Sequence, residues 1–513
     1  MNQVALSSVE EIVSPIKLFE ALCEWAVSAE CMGMPLHDVE IRVATRGREV
    51  LRSVLQRAVD ARGHGDVGPW VEVVAGVGNE SGKPTARIAF TNRRVRQRTI
   101  QSMFGPIDIE RTMYYRAGDD SVVPLDEQLQ VPERSFSYVM QQKIATSVAR
   151  GPFAEAVKVV KEATGVRVAP ANVDGVARAA AVDFDGYYEA KSATQESAGP
   201  ILAIACDGKG VRMRGLKGAT RELDRKGDLR YGRKREALVA AVYTIEPYAR
   251  TIEDVVAEIK SHDSPRDVAS HPDRPRPENK RVWATLTKRK PEFFKDVAAE
   301  AERRDPGHDK TWVVLMDGAK PLQCNAEEAI GKRNDFLLIL DIFHVLGYLR
   351  DASHAFHSKK AEASVWFERR LRMVLEGKAS ATARGMLQSA TKRNLKGKRL
   401  KAVKKTARYL LNNKQYMRYD DYLDAGLPIG SGAAEGACRH VVKDRMERAG
   451  MSWTVDTAEA VLRLRALEIT GDTADYWVFH VASEQRRLHG GRRWEVPADN
   501  PSQAISPRLR LVK

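Results

Sequence analysis

The sequence predicts an α/β protein of several units, with a mixed core interrupted by a long helical insertion, and three observations carry that expectation. The chain has 513 residues, several times the ~150 of an ordinary domain, so about three folded units are expected. Residues 201–206 form an unbroken apolar run and 237–245 nearly another, as strands buried on both faces require. Residues 343–423 are helical in pattern, polar and basic, with no strand signal, and read as an insertion between core elements.

Taken in order, residues 1–90 read as helical: Leu18, Leu22 and Trp25 recur at 3-4 spacing, and 41–62 continues with Val50, Leu51 and Leu55. From 85 to 115 the period becomes two, Ile107, Ile109 and Met113 alternating with Asp108 and Glu110 after a Phe104-Gly-Pro turn, which predicts a β-hairpin. Residues 138–188 return to helix, with Phe153, Val157 and Val160 on one face before a break at Gly165 and Pro170. That break suits a helix-turn-helix DNA reader or an ordinary packed helical hairpin, and Arg178 is the second helix's only basic residue. The prolines at 265, 272, 275 and 277 mark an exposed loop; 282–304 reads as a helix, 312–316 as a third buried strand, and 487–513 as a loose tail. The expected divisions are 1–124 (helices and hairpin), 125–195 (the helix-turn-helix candidate), 196–342 (first part of the core), 343–427 (basic helical insertion), 428–486 (C-terminal helices of the core) and 487–513.

With 43% hydrophobic and 29% charged residues, the chain reads as soluble and globular rather than disordered or membrane-spanning. Glu10 and Glu11 stand where an export signal needs positive charge, so a cytoplasmic protein is expected. Lysine and arginine number 83 against 68 acidic residues, a net charge of +15. That balance points to a polyanion such as nucleic acid, although many soluble proteins are basic. The five cysteines form no C-x-x-C pair and are odd in number, so neither a disulfide framework nor a zinc knuckle follows, and they fit a reducing compartment.

Two segments share one design. The apolar runs ending at Cys206-Asp207-Gly208 and Met316-Asp317-Gly318 each deliver a carboxylate at the end of a buried strand, where glycine permits a tight departure of the backbone. On neighbouring strands the two carboxylates would repel unless a cation neutralised them, and hard oxygen ligands select Mg2+ or Mn2+. A third carboxylate, Glu435, sits among Gly432, Ala433, Ala434, Gly436 and Ala437 after a capping Ser431, small residues that let a helix lie close to a sheet. The plainer readings are a turn residue for either aspartate and an ion pair with Arg439 for Glu435.

These segments resemble the DDE transposases of bacterial insertion sequences, most closely the ISKra4 family. The likeness lies in Cys206-Asp-Gly, Leu315-Met-Asp-Gly-Ala and Ile429-Gly-Ser-Gly-Ala-Ala-Glu435, continued by Arg445-Met446 and Gly450-Met-Ser-Trp453, and it covers roughly residues 125–453. It implies a ribonuclease H-like catalytic core with a helical insertion, a catalytic and metal-binding triad of Asp207, Asp317 and Glu435, and two Mg2+ or Mn2+ ions per active site. It also implies transposon-end and target DNA as partners, a homodimer or larger synaptic assembly, and cleavage of element ends followed by joining of the 3′-ends to target. Asp341-Ile-Phe-His344 looks like the D-x-x-H motif of related transposases, although His344 also suits packing against a helix. The cysteine pair that relatives carry after Tyr115 is absent, so no structural zinc is expected.

Between Arg384 and Arg408 ten basic residues occur without one acidic residue, and Lys401, Lys404, Lys405 and Arg408 make one helical stripe suited to a DNA backbone. Arg439, Lys443, Arg445 and Arg448 follow Glu435 as further phosphate contacts, and Trp453 reads either as a base-stacking wedge or as a buried tryptophan. The competing functions are a catalytically inactive, regulatory DNA-binding protein derived from a transposase, and a ribonuclease H-like nuclease without strand transfer.

Overall fold

The computed structural model describes residues 14–77, 84–191, 199–214, 234–262, 274–333, 335–430, 432–448, 451–490 and 493–496, and the side chains of 433–435 lie outside the described set. The strands are β1 (Val71–Val77), β2 (Pro84–Phe90), β3 (Asn92–Ser102), β4 (Gly105–Tyr115), β5 (Ile201–Arg212), β6 (Lys234–Ile245), β7 (Glu278–Thr285), β8 (Thr311–Met316), β9 (Leu337–Leu340) and β10 (Arg493–Glu495). The chain divides into two compact units, residues 1–187 with 474–513, and residues 188–473.

In the first unit β3 and β4 pair as the expected antiparallel hairpin, and its apolar face (Ile100, Ile107, Ile109) packs with Val59 of the Leu36–Asp60 helix. Three further helices follow at Tyr138–Arg150, Phe153–Thr164 and Pro170–Ala179. Two expectations are corrected here. Residues 71–77 are strand β1 rather than helix, because Val71-Glu-Val-Val forms an antiparallel sheet with β2 and β10. The C-terminal stretch is not wholly a loose tail: the Thr473–His489 helix extends into it and β10 pairs with β1. Tyr476 of that helix donates to the Ala180 carbonyl at 2.7 Å, and His480 Nδ1 lies 2.7 Å from Asp183.

The second unit holds a five-stranded mixed sheet of order β7-β6-β5-β8-β9. β5, β6 and β7 are antiparallel neighbours, whereas β5, β8 and β9 run parallel. Parallel neighbours need crossovers, supplied by the Lys290–Arg304 helix before β8 and the Lys320–Ala329 helix before β9. The expected helix over 282–304 is therefore shorter: Val282, Trp283, Ala284 and Thr285 are buried in β7, and the helix starts only at Lys290-Pro291. β-Branched and aromatic residues favour the pleated surface over the helix there.

The insertion is helical as expected, running through Ile342–Phe356, Lys360–Leu375, Ala379–Lys392, Gly397–Asn413 and Tyr419–Asp424. It covers one face of the sheet: Ile201, Ala205, Val313, Leu315 and Ile339 share a core with Val345, Leu371, Met386, Val403 and Leu410. No helix of the described residues is long and apolar enough to cross a membrane.

Candidate active site

The chain leaves β5 toward β6 and β7 on one side and returns to β8 and β9 on the other. In such a sheet the crevice outside the carboxyl ends of the strands flanking the reversal is the favoured ligand position. The two aspartates stand there. β5 and β8 pair Ala205 with Leu315, and carrying that register two residues on sets Asp207 beside Asp317. β8 and β9 pair Met316 with Leu340, so one residue further Asp341 falls beside Asp317, and its N–H donates to the Met316 carbonyl at 2.8 Å. Three aspartates thus lie in a row across β5, β8 and β9. Asp207 also shares the parity of Ile201 and Ala205, the face of β5 that looks toward the insertion.

Asp207 is half-buried; its Oδ1 accepts the Gly208 N–H at 2.7 Å and its Oδ2 the Cys438 thiol at 3.1 Å. Burial foremost, and then the Asp207 charge, push the Cys438 thiol well above its ordinary pKa, so it remains a donor. Asp317 Oδ1 accepts the Ala319 N–H at 2.7 Å, and its carbonyl oxygen accepts the Tyr409 hydroxyl at 2.8 Å. Burial first, then Asp317, raise the Tyr409 phenol far out of the neutral range. Neither aspartate forms an ion pair with a basic side chain among the described residues.

One expectation about these segments is corrected. The backbone does not leave the sheet at Asp207-Gly208: β5 runs on to Arg212, paired with β6, and only its pairing with β8 ends before Asp207. At Asp317-Gly318 the strand does end, and Gly318 takes φ +82°, with a would-be Cβ only 2.7 Å from Leu340 Cδ1.

Glu435 lies on the Gly432–Ala437 helix, which packs against β5 and β6. Its side chain, like all of Ser431, lies outside the described residues. Cys438 is three residues further along, so the turn carrying Glu435 approaches the strand that carries Asp207. The helix then widens into a π-helical turn over Cys438–Lys443, a distortion frequent at functional sites. Among the described residues no three His, Cys, Asp or Glu side chains cluster as a metal site.

Asp341 is 3% exposed and caps the Ile342–Phe356 helix, accepting the Phe343 N–H at 2.9 Å. His344 sits in the first turn of that helix, half-buried. The Gly397–Asn413 helix has two opposed faces. Val403, Thr406, Ala407 and Leu410 are buried, while Lys401, Lys404, Lys405 and Arg408 are exposed. The four basic residues line a groove of about 1040 Å3 together with Gly318, Gln323, Tyr348 and Tyr409. Tyr348 and Tyr409 stack at 3.9 Å, and Lys405 Nζ stands 4.9 Å from the Tyr348 ring. The stripe therefore opens beside the Asp317 turn.

Of the basic residues after Glu435, Arg439, Lys443 and Arg448 are on the surface, Arg439 at 3.9 Å from Asp444. Arg445 and Trp453 are corrected as surface contacts. Arg445 is completely buried, its guanidinium 4.8 Å from the Trp453 ring, and Trp453 donates its indole N–H to the Met446 carbonyl at 3.1 Å. The Trp453 backbone is pinned to the end of β5 through Arg212 and Arg214, which makes the pair an anchor for the segment after Glu435. Sequence reasoning missed Cys438 and Tyr409. Cys438 had a signal in its place one turn after Glu435; Tyr409 had none, because its partner lies 92 residues away.

No protein-family model matches the chain, and no curated protein does. Among solved structures it is similar to the Drosophila P element transposase strand transfer complex, with a TM-score of 0.23 and 10% identity, covering 68% of this chain and 80% of that one. A likeness that slight assigns neither fold nor function, and none of these matches supports the finer resemblance to ISKra4 transposases.

Proposed function

We propose that the chain is a DDE-type DNA transposase with a ribonuclease H-like core, in which Asp207, Asp317 and Glu435 form the catalytic carboxylate set. The observation that carries this reading is the parallel β5–β8 register at the reversal of the sheet, whose last pair, Ala205 and Leu315, stands two residues before Asp207 and Asp317. Three antiparallel strands followed by two parallel ones, with the Glu435 helix against β5, support the ribonuclease H-like assignment.

The donor set fits a hard divalent cation: two half-buried carboxylates with no basic partner among the described residues, and oxygen lone pairs left over from their single backbone N–H bonds. Mg2+ or Mn2+, two ions held by Asp207, Asp317 and Glu435, would supply activation of the attacking hydroxyl and charge stabilisation at the leaving oxygen. The chain's own residues fix the geometry. The Gly208 and Ala319 N–H groups and the Cys438 thiol orient the two carboxylates, and the Tyr409 hydroxyl ties the Asp317 turn to the insertion. Lys401, Lys404, Lys405 and Arg408 would hold a phosphodiester backbone leading to Asp317. Element ends would be cut and their 3′-ends joined to target DNA, by a dimer or larger assembly that keeps two ends together.

Asp207→Asn, Asp317→Asn and Glu435→Gln each remove a charge and keep the side-chain volume. Each is expected to lower Mg2+-dependent cleavage of labelled element ends by roughly three orders of magnitude, the equivalent of several kcal/mol of transition-state stabilisation. Thermal unfolding and duplex binding in EDTA should change little. Cleavage at the wild-type rate by any one variant would remove that residue from the set.

A further inference from the structure

The first unit contains a cleft of about 990 Å3 that the proposed catalytic chemistry does not use. Three arginines line it from three separate segments. Arg48 comes from the Leu36–Asp60 helix, Arg134 from the loop before the Tyr138–Arg150 helix, and Arg167 from the turn joining the Phe153–Thr164 and Pro170–Ala179 helices. Gln101, Ser135 and Asn172 add neutral polar groups to the lining.

The arginines are seated, not merely exposed. A Cβ at Gly165 would meet Arg48 Nη1 at 2.5 Å, and one at Gly175 would meet Arg134 Nη1 at 2.9 Å. Two glycines of the helical pair thus provide the notches against which the guanidinium groups lie, and Arg48 and Arg134 are half-buried there. None of the three arginines has a hydrogen bond or ion pair among the described residues. Neighbouring arginines behave otherwise: Arg52 holds Glu49 at 2.6 Å, Arg93 holds Asp66 at 2.6 Å and Arg178 lies 3.1 Å from Asp174. Of the two carboxylates at the rim, Glu49 is already engaged by Arg52. Three guanidinium groups thus line one cleft, two of them half-buried, and an anion with several oxygens could join them.

We infer that this cleft is a second nucleic-acid contact, taking the sugar–phosphate backbone of duplex DNA between Arg48, Arg134 and Arg167. The geometry favours a backbone over base readout. The Pro170–Ala179 helix has one basic residue, Arg178, and that is paired; the positive charge gathers instead at the turn and at the two segments beside it. Phosphate contacts at such a turn set the register of a helix pair on a duplex and carry no sequence information themselves. The chain's net charge of +15 agrees in sign. The inference stands apart from the catalytic reading, since it uses no residue of that site.

Binding of the full chain to a labelled duplex of mixed sequence, measured in EDTA across a salt series, tests it. Replacing Arg48, Arg134 and Arg167 together by glutamine should flatten the plot of log affinity against log salt by up to ~2.7, about 0.9 for each phosphate left without its guanidinium. The triple replacement by lysine, which keeps the charges, should restore most of the slope. Arg167→Gln alone alters an exposed turn residue that leaves folding intact, and should flatten the slope by about 0.9. An unchanged slope in Arg167→Gln and in a folded triple variant would overturn the inference. So would protection from thermal unfolding by inorganic phosphate with no change in the DNA slope, which would mark a small-anion site instead. Loss of cleavage plays no part in the readout, so the catalytic proposal and this one fail separately.

Discussion

Cys206-Asp207-Gly208 and Met316-Asp317-Gly318 are near copies in sequence, yet the fold uses them differently. Asp207 is embedded: its strand continues to Arg212, and the segment after Glu435 closes over it with the Cys438 thiol on its carboxylate. Asp317 stands at an open edge. Its strand ends there, Gly318 turns with positive φ, and the turn forms one wall of the groove lined by Lys401, Lys404, Lys405 and Arg408. The difference follows from the neighbours. β5 is a central strand with a long antiparallel partner that carries it past the aspartate, whereas β8 has only parallel partners and must turn back through a helix. A shared tripeptide therefore ends the same kind of apolar run, while the partner strands decide whether the backbone runs on past the carboxylate or turns there.

The largest effect that separates the two sides should come from the groove. Replacing Lys401, Lys404, Lys405 and Arg408 by alanine leaves up to four phosphates without a counter-charge and should flatten the salt dependence of duplex binding by up to ~3.6. Between 50 and 200 mM salt that corresponds to roughly two decades of affinity. The loss should be alike for specific and random duplexes, because these residues read no bases. A slope equal to that of the wild type would mean the stripe meets solvent or another subunit, and the contrast between an enclosed and a DNA-facing aspartate would lose its functional half.

The two glycines offer a smaller test. Gly318→Ala must take up φ +82° and place its methyl group 2.7 Å from Leu340 Cδ1 and 3.2 Å from Asn413. Strain and crowding together should cost about 2 kcal/mol or more. A methyl at Gly208 would also be crowded, 2.5 Å from Glu236 Oε1, but that atom ends a flexible side chain, 51% exposed, that can swing aside. Its cost should stay below about 1 kcal/mol. Denaturant unfolding of both variants measures the difference; equal losses would contradict the claim that only the Asp317 turn is tightly determined.

Much of this architecture was legible because its signals are local. The apolar runs at 201–206 and 312–316 marked two buried strands, the alternation around Ile107 marked the hairpin, and the charge pattern of 395–411 marked the opposed faces of one helix. β7 was hidden because Arg281-Val-Trp-Ala-Thr285 is short and runs close to a strong helix start at Lys290-Pro291. β1 and β10 were hidden because their pairing joins opposite ends of the chain. In the site, the aspartates could be named from sequence, but their common level could not, since it depends on the β5–β8 register. Arg445 and Trp453 misled for a related reason: a basic residue and an aromatic after the Glu435 helix look like a DNA surface until tertiary contact buries them against each other. The arginine cleft of the first unit gave no signal, as its three members come from segments far apart in sequence.

The smallest expected effect concerns the enclosed side and has a defined sign. Burial first, and then the Asp207 charge, raise the Cys438 thiol above its ordinary value of 9.0. A thiol held neutral in the folded state contributes fully below the unfolded pKa, and that contribution shrinks as rising pH ionises the unfolded chain first. Between about pH 9 and 10 the unfolded state thus sheds a proton that the native state keeps, and stability should fall by up to ~1.4 kcal/mol per pH unit for this thiol. Cys206, buried and raised for the same reasons, adds a similar fall. Cys438→Ala should make the decline shallower by about the first amount. In Asp207→Asn the neighbouring charge is gone, so Cys438 should ionise more readily and be alkylated faster at pH 9 in the folded protein. Alkylation at the wild-type rate would show that burial alone holds the thiol, and that Cys438 covers Asp207 without sensing its charge.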